Sequence, residues 1–419
     1  MNGSTIRLHH AGPAAASRQA AADAAEAHRP RPGFALFAQG FRPFFLLAGL
    51  VALGVIAPWI AALHGAALPE GPLPLPYWHA HEMLAGFVGA AISGFLLTAV
   101  PNWTSRPAYG GAPLVLPVTL FVLGRLALAP GSPVPVGLAA ALALLSLPVL
   151  LLTVLPALVR AGRLRLFGPP ALIFGFWIGD LLMLGDAAGW FEGTWRMGEF
   201  LMLDLALVLV GLIGGRIVPS FTVNALRKQG RDATLRPIPG VDAGAVIALL
   251  AVALVDLVAE GTALAGIVAA IAAVLTLLRL SRWHGLATLD QPILWVLHLA
   301  YLFIPVALGL KALYLLAGAD WASNWLHLQA IGAIALMILA VMTRATLGHT
   351  GRALHAPPSA VAGYVLLPVA ALARAFGPLL LPGFTGLALS GALWLAVFAL
   401  FLWGFGPILI APRADGKPG

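Results

Sequence analysis

The chain contains no cysteine among its 419 residues. That excludes disulfides, iron–sulfur clusters, thiolate-ligated haem and haem attached through CxxCH. Any metal must therefore be held by His, Met, Asp or Glu. Charge is also scarce, at 10% of residues against 60% hydrophobic, and mean hydropathy is +0.94. A soluble chain of this length could not cover its surface with so few polar groups. The alternating pattern of a membrane barrel is missing too, so the apolar runs must satisfy their backbone groups as helices. There is no Walker loop, no G-x-G-x-x-G in a strand–helix context and no nucleophile elbow. The N-terminal stretch is Ala-rich with scattered Arg, His and Pro. It lacks the apolar core of a signal peptide.

What is present is a series of apolar runs long enough to cross a bilayer. The sequence predicts an all-α polytopic membrane protein with about twelve spans: 43–63, 80–101, 113–130, 134–159, 168–188, 197–218, 241–259, 262–281, 290–316, 324–343, 358–378 and 385–410. Residues 1–33 read as a disordered cytoplasmic tail, 34–412 as a single membrane domain and 413–419 as a second short tail. With the N-terminus inside, 19 of the 24 Lys and Arg residues fall on the inner side. The outer loops carry Glu70, Glu192, Glu260 and Asp320 instead. By the positive-inside rule both termini are expected in the cytoplasm, with the protein in a bacterial inner membrane. The net charge of +8 is then topological, and no nucleic-acid partner is expected. The lipid bilayer is the expected surrounding. Oligomeric state is open.

An internal repeat runs at an interval of four spans. Spans two, six and ten each open on Trp followed four residues later by Glu or Gln: Trp78/Glu82, Trp195/Glu199 and Trp325/Gln329. They close on Thr104, Thr222 and Thr350 at nearly the same offset. Twelve helices would then form three units of four in a pseudo-threefold arrangement, and such repeats place sites between units.

Polar, metal-capable side chains in membrane helices are costly and so point to function. Topology sorts the candidate metal ligands into an outer group, His79, His81 and His327, and an inner group, His284, His298 and His349. On a regular helix His79 and His81 point about 200° apart, so they share an ion only if the helix begins at or after His81. Otherwise one of them serves a different partner. His298 lies deep in an apolar span, where an unpaired imidazole is expensive. Neutral imidazole suits haem iron, copper and zinc. Haem propionates want arginine, and Arg216, Arg344 and Arg352 at inner helix ends are candidates. Trp78 is a further candidate for cofactor contact. Asp180, Asp204 and Lys311 lie deep enough to need partners, either as internal salt bridges or as a proton path, and Arg125 is a candidate partner for one of the Asp.

Five segments together resemble the NnrS family of bacterial membrane proteins: Gly40 to Phe45 (GFRPFF), Trp78 to Met83 (WHAHEM), Gly94 to Thr104 (GFLLTAVPNWT), Gly214 to Thr222 (GGRIVPSFT) and Thr343 to Arg352 (TRATLGHTGR). The resemblance implies a haem- and copper-containing inner-membrane protein that protects against nitric oxide stress, often beside denitrification. Haem b and copper are the expected cofactors, and nitric oxide or a related small molecule is the expected partner. The resemblance names no catalytic residue, and whether the protein is a nitric-oxide-related oxidoreductase is left open. The alternative from the residues is a proton-coupled transporter of copper or a small solute, using His and Met at both faces.

Overall fold

The computed structural model describes residues 35–231 and 234–417, and among them there is helix and no strand. The expected tail at 1–33 lies outside these residues. Eleven helices are long and apolar enough to span a membrane, and a twelfth, Ala112–Leu128, is apolar but shorter. They are numbered here in chain order: α1 Phe41–Leu63, α2 Leu75–Thr104, α3 Ala112–Leu128, α4 Val136–Ala161, α5 Leu164–Ala187 and α6 Trp195–Lys228. The remainder are α7 Val241–Ala259, α8 Ala263–Leu280, α9 Pro292–Ala317, α10 Asp320–His349, α11 Pro358–Leu380 and α12 Thr385–Ile410.

The three helices singled out by the repeat are inner helices. Their most apolar stretches are 83% (α2), 67% (α6) and 67% (α10) buried within the protein, and α9 joins them at 72%. The other long helices bury 33–50% and turn the rest of their surface outward. Each of α2, α6 and α10 also contains a π-helical segment: Glu82–Val88, Val210–Gly214 and Leu328–Ala335. Such segments widen a helix by one residue per turn and re-aim its side chains, often at functional sites. The closing threonines behave alike. The hydroxyls of Thr104, Thr222 and Thr350 donate to the carbonyls four residues back, Val100, Val218 and Thr346.

A π-turn leaves backbone groups to be satisfied from outside the helix. In α6 this falls to Arg279 of α8, whose guanidinium donates to the carbonyls of Gly211 (2.8 Å) and Gly215 (3.4 Å). A Cβ on Gly215 would sit 2.2 Å from the same guanidinium, which explains the glycine beside the bulge. In α10, Gly332 makes room for the Phe303 ring, which a Cβ would meet at 2.4 Å.

The chain closes on itself. α1 packs against α12, and fully buried Arg42 donates to the carbonyls of Leu409 (3.0 Å) and Ala411 (2.7 Å) at the end of α12. Those carbonyls have no partner within their own helix. The cation also complements the negative end of the helix dipole. Phe45, from the same motif, lies where a Cβ on Gly94 would be, 2.7 Å away, so the α1–α2 crossing depends on that glycine.

Candidate functional site

The N-terminal ends of α2, α6 and α10 lie at one end of the bundle, called here the His79 end. Trp78 sits in the first turns of α2 and is buried, with its indole N–H unpartnered. Residues 79 and 81 diverge as helical spacing requires. His79 faces a cavity of about 340 Å³, and His327 of α10 faces the same cavity. Arg374 of α11, Glu199 of α6, Ser390 of α12 and Met83 add further polar and soft groups. Most of the wall is apolar, with Trp394, Phe87 and Ile331 among its residues. The His79 ring stacks on Trp59, with centroids 4.6 Å apart and planes 13° apart. Its Nδ1 is buried and has no partner. Arg374 is steadied by donating to Asn324 Oδ1 at 3.0 Å.

His81 points the other way and is fully buried. Its Nδ1 lies 3.0 Å from Glu82 Oε1, and its Nε2 lies 2.7 Å from Asp180 Oδ1. Arg125 of α3 approaches Glu82 Oε2 at 3.4 Å, so the cation expected beside an aspartate pairs with this glutamate. Both nitrogens of His81 are thus committed to carboxylates. A ring that donates from both is a cation, and with Arg125 it balances the two acids charge for charge. The cluster fastens α2 to α3 and α5.

The opposite end, called the His349 end, has its own cavity of about 430 Å³, lined by His349, Arg216 and Arg344 among apolar residues. The Arg344 guanidinium lies over the Phe221 ring at 4.0 Å, and the His349 ring is 5.6 Å from that of Phe41. The other two histidines of the expected inner group are elsewhere. His298 Nε2 is 2.8 Å from Thr222 Oγ1. That hydroxyl already donates to Val218, so the imidazole is the donor. His298 Nδ1 is left bare against Gly285, where a Cβ would sit 2.9 Å away. His284 is exposed, with a left-handed backbone (φ 54°), and its Nε2 donates to the Thr234 carbonyl at 3.2 Å. Arg352 lies beyond α10, outside the cavity lining, and donates to the Thr350 carbonyl at 3.4 Å. Burial holds its guanidinium below the usual arginine range.

Between the two cavities is a small chamber of about 80 Å³ with no polar side chain in its lining. All three π-bearing helices reach it, through Val88, Val210 and Ile334. Val88 and Ile334 also line the His79-end cavity, while Phe45, Ile213 and Val341 also line the His349-end cavity. The three spaces follow one another along the inner helices.

The structure therefore brings His79 and His327 to one space and places His349 with Arg216 and Arg344 in another. It does not bring His81, His284 or His298 into either. Among the described residues, no three His, Cys, Asp or Glu side chains are grouped as a ready-made metal site. Arg374 and Glu199 belong to the His79-end cavity, and neither was named from sequence as a site residue, although the repeat marked Glu199. Their signal was weak, because both lie near helix ends where charges are common. A family model described as NnrS protein matches residues 35–413, nearly the whole chain. No curated protein matches it.

Proposed function

The chain belongs to the NnrS family, a membership that supports a general role as a membrane protein of the nitric oxide response, and on that premise we propose that it holds haem b in the His79-end cavity and binds or turns over nitric oxide or iron-nitrosyl species. The observation that carries the proposal is the approach of His79 and His327 to one cavity from two different inner helices. The donor set fits haem. His79 and His327, on separate helices, would hold the iron, the wall is largely apolar, and Arg374 would offer a cation to a propionate. The Nδ1 of His79 is buried without a partner, so it is not committed to a carboxylate as both nitrogens of His81 are. When bound, haem supplies an iron able to take a diatomic ligand or pass an electron. The protein's part is to orient the imidazoles, through the Trp59 stack, and to keep bulk water from the ring.

The histidines of the expected inner group do not form a copper site. His284, His298 and His349 share no centre, so no step is assigned to that metal. At the His349 end, Arg216 and Arg344 make the cavity electropositive, and the cationic face there matches the inner, Lys- and Arg-rich side of the sequence. The His79 end is thus proposed to face outward from a bacterial inner membrane.

The test is an optical spectrum of the purified protein with a haem assay on the same sample. A Soret band that shifts on adding nitric oxide, and that is lost in His79→Ala and in His327→Ala, is the expected result. Colourless wild type, or full haem content in both variants, would overturn the proposal.

A further inference from the structure

Behind the wall of the His79-end cavity, four helices bury a second polar cluster. It comprises Asp204 of α6, Asp256 of α7, Lys311 of α9 and Gln329 of α10, each no more than 3% exposed. Leu203 and Ala330, the sequence neighbours of Asp204 and Gln329, line the cavity itself. The cluster is thus one residue back from that space.

Its hydrogen bonds do not close. Lys311 Nζ donates to Asp256 Oδ2, and the ammonium also lies 4.6 Å from the centre of the Trp325 ring. Gln329 Nε2 donates to Asp204 Oδ1 at 3.0 Å. Three acceptors then remain without a donor: Asp204 Oδ2, Asp256 Oδ1 and Gln329 Oε1. The two carboxyl groups are near enough to act on each other, and both face the Lys311 ammonium. Charge does not close either. Two carboxylates face one ammonium, which leaves one negative charge in a medium that solvates it poorly.

No neighbouring element supplies the missing cation. On α6, Arg196 is bound to Glu260 at the protein surface, beside Glu199. On α7, Asp242 is engaged by Arg279 toward the opposite end. On α9, His298 is bonded to Thr222 toward the opposite end, which leaves Lys311. His327 of α10 and Arg374 of α11 face the cavity. A single proton between Asp204 and Asp256 repairs the charge and two of the three unmet acceptors. It neutralises the excess charge and gives the two carboxyl oxygens the donor they lack.

We propose that Asp204 and Asp256, with Lys311 as counter-ion, form a proton-binding site that exchanges its proton with the His79-end cavity. The site stands whether or not haem occupies that cavity. Lys311 fixes which oxygen of Asp256 is committed, and Gln329 does the same for Asp204, so the remaining oxygen of each is the one free to share the proton.

Infrared spectroscopy of the full-length protein in lipid tests this directly. At neutral pH the wild type is expected to show the carbonyl stretch of a protonated carboxylic acid. The band should move to lower frequency after transfer to D2O. Asp204→Asn and Asp256→Asn, which keep side-chain shape, should each abolish it, while the exposed-site change Asp320→Asn should leave it. Absence of the band, failure to move in D2O, or survival in both Asn variants would each overturn the proposal. So would a band that appears only when sodium is replaced by choline, since sodium would then be the missing cation. The D2O shift needs no variant, so the proposal stays falsifiable if one Asn protein folds poorly.

Discussion

The ring of His79 lies flat on the indole of Trp59, yet the Nδ1 of that ring is buried with nothing to bond. The stack fixes the plane of the imidazole. Trp59→Leu removes the fixing surface and keeps an apolar side chain. If the ring is an axial ligand, haem affinity should fall by about 10–100-fold, the usual effect of losing a group that orients a ligand. Haem titration of the apoprotein measures it. Unchanged affinity would mean that another group sets the ring.

His81 should behave differently from its neighbour two residues earlier. His81→Gln strands Glu82 and Asp180 in a dry interior, and breaking such a buried pair costs about 3–5 kcal/mol. Thermal unfolding in detergent should show a large loss, while haem per folded molecule stays at the wild-type level. Loss of haem at unchanged stability would give His81 the role assigned here to His79.

Arg279 holds the π-turn of α6 open by satisfying Gly211 and Gly215. Arg279→Met leaves the Gly211 carbonyl buried and unmet, at about 1–3 kcal/mol. Asp242 is half-exposed, so Asp242→Asn should cost less than about 1 kcal/mol. Equal losses in the two variants would mean that the ion pair, and not the carbonyl capping, sets the stability.

The natural absence of cysteine makes orientation easy to measure. Glu70→Cys, in the loop before α2, should react with a membrane-impermeant thiol reagent on intact spheroplasts. Arg163→Cys, between α4 and α5, should react only after permeabilisation. The reverse pattern would invert the orientation proposed from the basic residues.

Near the C-terminus, Arg413 grips Asp415 at 2.6–2.8 Å and donates to the His349 carbonyl at 2.7 Å. That contact holds the Asp415 carboxyl well below the ordinary carboxylate range. A depressed folded value means that the stabilisation is complete above the ordinary carboxyl pKa and is lost only as pH falls through the lower folded one. In an NMR titration of carboxyl-labelled protein, Arg413→Met should raise the midpoint, and by less at high salt. An unmoved midpoint would show that the pair does not form in solution.

The membrane helices were plain from hydropathy, and α7 and α12 begin and end where the sequence predicted. The ends of α2, α6 and α10 were less so. Their apolar cores were predicted at 80–101, 197–218 and 324–343, but the helices run on through polar turns to Thr104, Lys228 and His349. Hydropathy sees the lipid-facing stretch and is blind to helix that continues among polar partners. The Trp and Thr columns did mark the inner helices, because both residue types serve those helix ends. The π-segments left no such mark, since they arise from packing among Arg279, Phe303 and the glycines. Spacing correctly separated His79 from His81, but not which of them would meet carboxylates. That depended on Asp180, ninety-nine residues away. The inner histidines looked like a set only because they share a side of the membrane; depth alone does not make rings converge.

The wholly apolar chamber between the two polar cavities has an electrical meaning. A hydrated ion or a proton wire would have to shed its water to pass such a plug, whereas an uncharged diatomic molecule dissolves in it freely. Ion leakage along the bundle axis would meet its steepest barrier at this chamber.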